Sequence, residues 1–446
     1  MTDLDATGAT TTPQATAAGS TLGSGPGAAG AGTAPAAPHR ASDQQDERLG
    51  SREGFSGAVQ SFLDRAKGGE LGVIPVVAGL VVIWTVFQTQ SSLFLSSANL
   101  VNLVMAAAPV GIISLGIVWM LLVGQIDLSV GSMSGVSSAI TAVLFVSRGV
   151  PVVLAILAAL ATGAVVGYIY SVMFNRAGVP SFVITLAGLL SLLGVQFYLL
   201  GEAGSINLPF DSALVQFAQL QFVPKTLSYV FVVLAAVGLF VSGYLGARAR
   251  RAADLSAKSV VSLAVRSVVL LVVVGFAVSV LNRTRGVGWM FVLFVALVLV
   301  MHYVLTRTRF GRSVYAVGGN AEAARRAGIN VRRVYASCFM LCTTLAAVGG
   351  VLAAARLAAA NNQTGTGDTN LNAIAAAVIG GTSLFGGRGT AFAALLGIIV
   401  IQSISSGLTL LNLGSSYRFM ITGVVLLLAV ALDSVARRSR ASSGLA

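Results

Sequence analysis

The chain has 446 residues, of which 56% are hydrophobic and 10% are charged, and its mean hydropathy is +0.87. A soluble domain carries roughly 25% charged residues, so this composition excludes a soluble protein and favours one embedded in lipid. The net charge is +13, but basic patches interleaved with aromatic residues are absent from the sequence. We therefore expect no nucleic-acid partner.

The sequence offers few reactive side chains. Cys338 and Cys342 are four residues apart in one apolar run, where they read as two small apolar residues on one helix face. The histidines, His39 and His302, lie in unrelated contexts. No catalytic or metal-binding set can be assembled from these residues, so we expect a protein that is not an enzyme and binds no cofactor.

The N-terminal segment differs in composition from the rest. Residues 1–57 are rich in Ala, Gly, Thr, Ser and Pro, which predicts a disordered cytoplasmic tail. The start "MTDLD" lacks an apolar region, so no cleaved signal peptide is expected. Residues 58–70 could form a short interfacial helix, and residues 437–446 are predicted to form a second cytoplasmic tail.

Apolar runs recur throughout residues 71–436 and predict an all-α, polytopic integral membrane protein. Most runs have about the 20 residues that a spanning helix needs, and they predict about 10–12 transmembrane helices. The runs at 130–147 and 371–386 are short enough to be tilted, broken or re-entrant. The runs are 71–89, 101–123, 130–147, 151–174, 181–200, 228–247, 264–282, 287–305, 334–354, 371–386, 390–411 and 417–436.

The basic residues predict the orientation in the membrane. With both termini in the cytoplasm, and the long N-terminal tail left out, cytoplasmic loops hold sixteen Lys and Arg residues and outer segments hold five. The positive-inside rule favours this arrangement. Residues 71–436 contain seven acidic residues, of which Asp127 alone lies close to membrane depth. Ion-driven carriers usually need buried carboxylates, so energy is expected to enter elsewhere.

The stretch "LVGQIDLSVGSMSG", residues 122–135, joins two apolar runs. The Asp127 carboxylate can cap the following helix or bond a translocating hydroxyl or a neighbouring chain, and capping is the favoured interpretation. Small residues such as Ser129 and Gly131 allow close helix packing. Together with Asp127, Ser129 and Gly131, Gln125 is a candidate functional residue of this stretch.

The stretch "TRFGRSVYAVGGNAEAARRAGINVRRV", residues 308–334, looks soluble between two apolar runs. We expect its glycines at positions 311, 318 and 319 to turn the chain. Asn320 is a good N-cap for a helix of about two turns, and Gly328 a natural stop. The alternative is a solvated loop that only sets topology. The residues predicted to act are Asn320, Glu322, Ala323, Ala324, Arg325, Arg326 and Gly328.

Two further stretches lie near the C-terminal end. Residues 361–370, "NNQTGTGDTN", are predicted to lie outside, where Asn361 and its neighbours either face a ligand or partner or form a plain solvated loop. Residues 373–397 contain two glycine pairs, Gly380-Gly381 and Gly386-Gly387. No Gly-Lys-Ser/Thr follows, so a phosphate loop is excluded, and close packing of a broken helix is expected.

Three of these stretches resemble one protein family. "EAARRAG" resembles the EAA---G loop of bacterial ABC importer permeases. The longer "TRFGRSVYAVGGNAEAARRAGINV", with "GQIDLSVGS" and "GGTSLFGGRG", is similar to the monosaccharide branch, which holds ribose, arabinose, galactose and xylose permeases. Gln125 stands where that branch usually has glycine. Val331-Arg332-Arg333 stands where the wider family has Leu-Pro.

The resemblance implies partners and a substrate class. The helix after Asn320 would be a coupling helix, within a cytoplasmic loop spanning 306–333, that docks on an ATPase subunit. A second permease copy and an extracytoplasmic sugar-binding protein would complete the importer in a bacterial cytoplasmic membrane. An apparent extra helical hairpin at 228–282 resembles the xylose-type permeases. Ribose or galactose permeases, branched-chain amino-acid permeases and ion-coupled secondary sugar transporters are the alternatives.

Overall fold

The computed structural model describes residues 74–255, 257, 259–366, 368–414, 416, 417, 419–424, 427, 428 and 431. In chain order its elements are α1 (Ile74–Gln90), α2 (Ser97–Leu122), α3 (Val130–Ala142), α4 (Val152–Ala177), α5 (Ser181–Leu200), β1 (Ser205–Asn207), α6 (Ala213–Gln219), α7 (Lys225–Ala252), α8 (Val260–Leu281), α9 (Trp289–Arg307), α10 (Arg309–Gly319), α11 (Ala321–Arg326), α12 (Val331–Leu357), β2 (Ala359–Asn361), α13 (Asp368–Ile379) and α14 (Phe392–Leu410).

The all-α membrane fold predicted from composition is confirmed. In the described part of the chain, nine helices are long and apolar enough to cross a membrane. Helix α1, with 17 residues, and α13, with 12, are shorter. The predicted tails at 1–57 and 437–446 and the predicted interfacial helix at 58–70 lie outside the described residues, as does much of the predicted span 417–436.

Three helices form the centre of the protein. In α2, 83% of the most apolar stretch is buried, whereas in α8 only 11% is buried. Helix α12 packs against α2, α3 and α4, and α3 packs against α5. The outer helices therefore present their apolar side chains to lipid, and α2, α3 and α12 share the protein interior.

The two short runs singled out in the sequence differ in structure. Run 130–147 is helical throughout, because α3 continues into a π-helical turn at Val143–Ser147. Run 371–386 is broken, since α13 ends at Ile379 and the next helix begins only at Phe392.

The segment before α13 packs against α3. A Cβ atom on Gly131 would lie 2.5 Å from the Gly365 carbonyl oxygen, and one on Gly135 would lie 2.6 Å from that of Thr364. Thr364 is only 5% exposed. Of the two alternatives for this stretch, a plain solvated loop does not describe residues 361–366, because small residues on α3 let their backbone approach closely.

Polar side chains hold the same segment in place. The Gln196 amide in α5 donates to the carbonyl oxygens of Asn361 and Thr364, both at 2.9 Å. The Asn370 amide donates to the Leu128 carbonyl oxygen at 2.8 Å. Next to this segment, β1 and β2 pair antiparallel, with Ser205 opposite Asn361. The backbone groups of this non-helical segment thus find partners inside the protein.

The range predicted to hold an extra hairpin contains α7 and α8, which pack against each other. Inside this pair the Asn282 amide donates to the Ser228 hydroxyl at 2.9 Å, and both residues are buried. Most other side chains of both helices face outward. The hairpin therefore lies at the periphery of the helical bundle.

Candidate functional site

The chain reverses direction after α9 and forms a helix where turns were expected. Residues Arg309–Gly319 form α10, and the Thr308 hydroxyl caps it by accepting from the Gly311 amide at 3.1 Å. The prediction of a turn is therefore wrong for Gly311, which lies in the first turn of α10, whereas Gly318 and Gly319 form the end of the helix before the extended residue Asn320. A Cβ atom on Gly311 would overlap the carbonyl oxygen of Leu305. Glycine is thus needed at this position for close approach to the end of α9.

One face of α10 is apolar and packs on the central helices. Val314 and Val317 are buried in the main core. The Phe310 ring stacks on Trp119 of α2, with ring centroids 5.7 Å apart and an interplanar angle of 17°. Aromatic stacking and burial of the valines fix α10 to the C-terminal half of α2.

Glycines from three separate segments meet at the end of α2, and we call this set the glycine junction: Gly124, Gly318, Gly319, Gly386 and Gly387. A Cβ atom on Gly318 would overlap the Leu122 carbonyl oxygen, and one on Gly386 would lie 2.6 Å from the Gly318 oxygen. The Gly387 amide donates to that Leu122 oxygen at 2.9 Å. Backbone packs directly on backbone here, which a side chain would prevent.

Glycine is also required at this junction for its backbone conformation. The φ angles of Gly124, Gly386 and Gly387 are +70°, +86° and +72°. An L side chain is disfavoured in this left-handed region. The glycine junction therefore links the end of α2, the end of α10 and the loop between α13 and α14.

Tyr315 adds a side-chain link between two of these segments. Its hydroxyl donates to the Gly389 carbonyl oxygen at 2.8 Å. Burial raises the pKa of Tyr315 above its ordinary value, because the phenolate would lose hydration. The hydroxyl therefore stays protonated and keeps its role as donor.

The short helix α11 is closed at both ends, as its sequence predicted. The Asn320 side chain accepts from the Ala323 amide at 2.9 Å, which confirms the N-cap. Gly328 has a φ angle of +83°. The amides of Gly328 and Ile329 donate to the carbonyls of Arg325 and Ala324, both at 3.0 Å. This is the Schellman arrangement that ends a helix with glycine.

Helix α11 buries Ala324, packs Ala321 partly against the core and exposes its other residues. Ala324 is 5% exposed and joins the main core. Glu322 forms exposed ion pairs with Arg325 at 3.0 Å and with Arg326 at 3.3 Å. Exposed pairs stabilise a helix only slightly. The result is a small, ordered, mostly basic projection on the end of the bundle.

Asp127 lies in the interior, just before α3. Its Oδ1 accepts from the Ser129 amide at 2.8 Å and from the Ser129 hydroxyl at 2.7 Å. Ser129 itself is the N-cap residue of α3 and makes no side-chain cap bond. The expectation that Asp127 caps α3 is therefore wrong, since the carboxylate closes the turn preceding the helix instead.

The second oxygen of Asp127 has no hydrogen-bond partner among the described residues, although the side chain is fully buried. The Cys342 thiol lies beside it. Gln125, two residues before Asp127 in the chain, is half-buried, and its backbone amide donates to the Met120 carbonyl oxygen at 2.9 Å. No group of three or more metal-ligating side chains occurs in the part of the chain the structure describes.

The residues singled out in the sequence fall into two groups. Gly386 and Gly387 lie with Gly318 and Gly319 at the glycine junction, and Gly380 packs on Ala393 of α14. Gly381 has open space around it within the described part and a φ angle of +101°. The other group lies just before α3, along it or in β2, which packs on it, and consists of Asp127, Ser129, Gly131 and Asn361.

Sequence reasoning missed three contributors to these groups. Tyr315 and Gly124 sit in stretches that had been singled out, but neither carries a pattern that indicates a long-range contact. Gln196 interrupts the apolar run 181–200, and a lone amide in such a run is the signal that could have found it.

Comparison with known proteins places this arrangement in a family. Residues 99–430 match the family of branched-chain amino acid transport system permease components, and the chain belongs to this family of transport permeases. It is 33% identical over 369 residues to the xylose transport system permease XylH of Escherichia coli, covering 82% of this chain and 93% of the relative.

Two further relatives carry sugar-permease names. The Haemophilus influenzae xylose permease XylH is 30% identical over 371 residues, covering 83% of this chain and 98% of its own. The Escherichia coli ribose import permease RbsC is 30% identical over 355 residues, covering 80% and 91%. No solved structure matches the chain. The predicted resemblance to monosaccharide permeases is thus confirmed, and the chain is a multi-pass membrane protein of that kind.

Proposed function

We propose that this chain is the membrane-spanning permease of an ATP-driven, binding-protein-dependent importer that carries D-xylose into the cell. The observation that carries the proposal is α11, an exposed helix closed at both ends and joined through α10 and the glycine junction to α2. A short helix of this kind needs a surface to pack on. An ATPase subunit supplies that surface.

In this proposal the permease makes and breaks no covalent bond and holds no cofactor. ATP binding closes the ATPase, which moves α11, and the movement passes to α2 and to the loop after α13. The basic residues Arg325 and Arg326 face outward, where they fit an acidic groove on the ATPase. The pathway itself needs only weak contacts, so sugar affinity resides mainly in the binding protein.

The assembly has two permease copies, an ATPase with two nucleotide sites and an extracytoplasmic sugar-binding protein, in the lipid of a bacterial cytoplasmic membrane. Both termini are cytoplasmic. The distribution of Lys and Arg, sixteen in proposed cytoplasmic loops against five outside, supports this orientation.

Docking of the ATPase subunit is tested by one substitution in α11 and one at the glycine that ends it. We expect Glu322→Arg and Gly328→Arg to leave the protein inserted but to remove stimulation of ATP hydrolysis by sugar-loaded binding protein. Ala253→Arg, at the exposed end of α7, adds the same single positive charge as Gly328→Arg but away from α11, and it should leave stimulation intact. Normal stimulation in both α11 variants would refute the docking role.

The assignment of xylose as the substrate rests on the xylose permeases among the relatives and on the peripheral hairpin α7–α8. Ribose, galactose and branched-chain amino acids remain the alternatives within the family. Uptake of labelled xylose, ribose and galactose with matched binding protein and ATPase distinguishes the sugars. Xylose uptake above that of the other two is expected, and equal or lower xylose uptake would defeat the assignment.

A further inference from the structure

The loop between α13 and α14 carries a short segment that is closed on itself, and we call residues 384–388 of this segment the loop tip. The Ser383 amide donates to the Arg388 carbonyl oxygen at 3.0 Å, and the Ser383 hydroxyl accepts from the Phe385 amide at 3.3 Å. Thr382 and Ser383 are buried. The base of the loop tip is therefore anchored in the protein, and bonds within the loop fix its backbone.

The backbone of the loop tip packs on the end of α10. A Cβ atom on Gly387 would lie 3.1 Å from the Cα atom of Gly319, and the Tyr315 hydroxyl of α10 donates to the Gly389 carbonyl oxygen. Gly319 directly precedes Asn320, the N-cap residue of α11. Because adjacent Cα atoms are about 3.8 Å apart, the loop tip and the start of α11 are immediate neighbours.

Two side chains of the loop tip are exposed beside α11. Phe385 is 48% exposed and Arg388 is also exposed, whereas Leu384 packs against the main core. A single exposed apolar side chain is common on any protein. Phe385 differs because it stands on an anchored loop next to a helix that the proposed function assigns to a partner. Aromatic residues and arginine are also the types enriched in protein interfaces.

Helix α11 is too small to hold an ATPase subunit by itself. Its six residues, Ala321–Arg326, give a length of about 9 Å at about 1.5 Å per residue. A stable interface uses roughly 20–30 residues on each partner. An ATPase that covers α11 must therefore also cover the surface beside it, and the loop tip lies on that surface at the start of the helix.

The surroundings of the loop tip favour a soluble protein over lipid. Helix α13, which precedes the loop, packs against α14 and α2. The exposed residues next to Phe385 are polar or charged, namely Asn320, Glu322 and Arg388, and acyl chains do not cover such groups. Arg388 also has the same charge as the exposed arginines of α11. One acidic surface can therefore receive both segments.

We propose that the loop tip is a second contact for the ATPase subunit, in which the Phe385 ring enters an apolar recess and Arg388 meets an acidic side chain. This inference rests on the proposed function and adds a second point of contact to α11. The ATPase then acts directly on two segments, α11 and the end of α13. Because the segment before α13 packs on α3, the second contact reaches the interior without passing through α2.

The first test identifies what touches the loop tip. Phe385→benzoylphenylalanine places a photoreactive ring there in the complete transporter, with the ATPase and both permease copies, in lipid nanodiscs. We expect irradiation to yield a covalent product with the ATPase subunit, identified by mass spectrometry. Phe210→benzoylphenylalanine, at a phenylalanine that is 60% exposed in another loop, is the matched control and should give no such product. A product with the second permease copy, or with lipid alone, would overturn the assignment.

The second test measures the affinity of the permease for its ATPase. We expect Phe385→Ala and Arg388→Gln each to weaken binding by about fivefold or more. Arg388→Gln alone should flatten the salt dependence of binding, because it removes a charge. Arg148→Gln, at an exposed arginine far along the chain from α11, should bind like wild type. Thermal unfolding is followed in parallel, and crosslinking at Phe385 decides the question for a variant that unfolds early.

The outcomes separate the second contact from the proposed function. Unchanged affinity in both loop variants, together with weaker binding of Glu322→Arg in α11, overturns the second contact alone. A wild-type permease that binds no ATPase overturns the proposed function and the second contact together.

Discussion

At Gly318 and Gly319, two adjacent glycines have opposite surroundings. A Cβ atom on Gly318 would overlap the backbone of Leu122, whereas one on Gly319 would meet nothing within 4 Å among the described residues. The first glycine is needed for contact with α2, and the second is not. Substituting each glycine in turn therefore distinguishes the contact with α2 from the general effect of glycine on the stability of α10.

We expect Gly318→Ala to destabilise the junction by about 1–3 kcal/mol, since the methyl group forces α10 away from α2. Gly319→Ala should be neutral or slightly stabilising, because alanine favours the helix. Thermal unfolding in detergent, with ATP-driven uptake measured in parallel, checks both. Equal behaviour of the two variants would contradict the close contact at Gly318.

Gln196 is the other residue whose role depends on distant partners. Gln196→Leu would remove the donors to Asn361 and Thr364 and leave two carbonyl oxygens of the segment before α13 short of partners. We expect a loss of about 1–3 kcal/mol in the free energy of unfolding. The control is Ser191→Leu on the exposed face of α5, which should unfold like wild type. Similar unfolding temperatures in the two variants would argue against this role.

Residue-scale prediction succeeded where the determinants are local. Asn320 and Gly328 act on amides and carbonyls within a few positions, so the sequence itself predicts both caps of α11. The close contact of Gly318 was not predicted and the role of Asp127 was interpreted wrongly, because they depend on Leu122, on Gly387 and on the buried turn at Ser129. The spacing of residues along the chain gives no information about those contacts.

At the scale of elements, α11 depends on its N-cap. With only six residues, Ala321–Arg326, it has little helical stability of its own. Asn320→Ala should lower its stability by about 1 kcal/mol, and Asn320→Asp should retain the cap. The measurement is the affinity of the permease for its ATPase. We expect weaker binding for the alanine variant alone, and an unchanged affinity would show that a formed α11 is not required.

Apolar runs along the sequence predict the long helices but not where the segments between them pack. Long apolar runs predicted nearly all of the spanning helices, because burial in lipid demands closed helical hydrogen bonding. The segment at 361–366 looked like an outer loop since it is polar and rich in glycine and amides. Its place along α3 follows from glycines at positions 131 and 135 together with Gln196, three features scattered across two other helices.

For the whole molecule, the proposed topology predicts opposite sides of the membrane for two exposed positions. Ala203 follows α5 at the proposed outer side, and Ala327 follows α11 at the proposed cytoplasmic side. The native Cys338 and Cys342 are buried, so labelling should report engineered positions. We expect a membrane-impermeant maleimide to label Ala203→Cys in intact spheroplasts and Ala327→Cys only in inverted vesicles. The reverse pattern would invert the topology.

The central claim is that ATP hydrolysis by a separate subunit drives sugar through this permease. It is tested by uptake of labelled xylose into proteoliposomes that contain the chain alone or the chain with its ATPase, each with binding protein outside and ATP inside. We expect accumulation only when ATPase and ATP are both present. Accumulation by the chain alone under an ion gradient would contradict this proposal and show that the protein is an ion-coupled carrier.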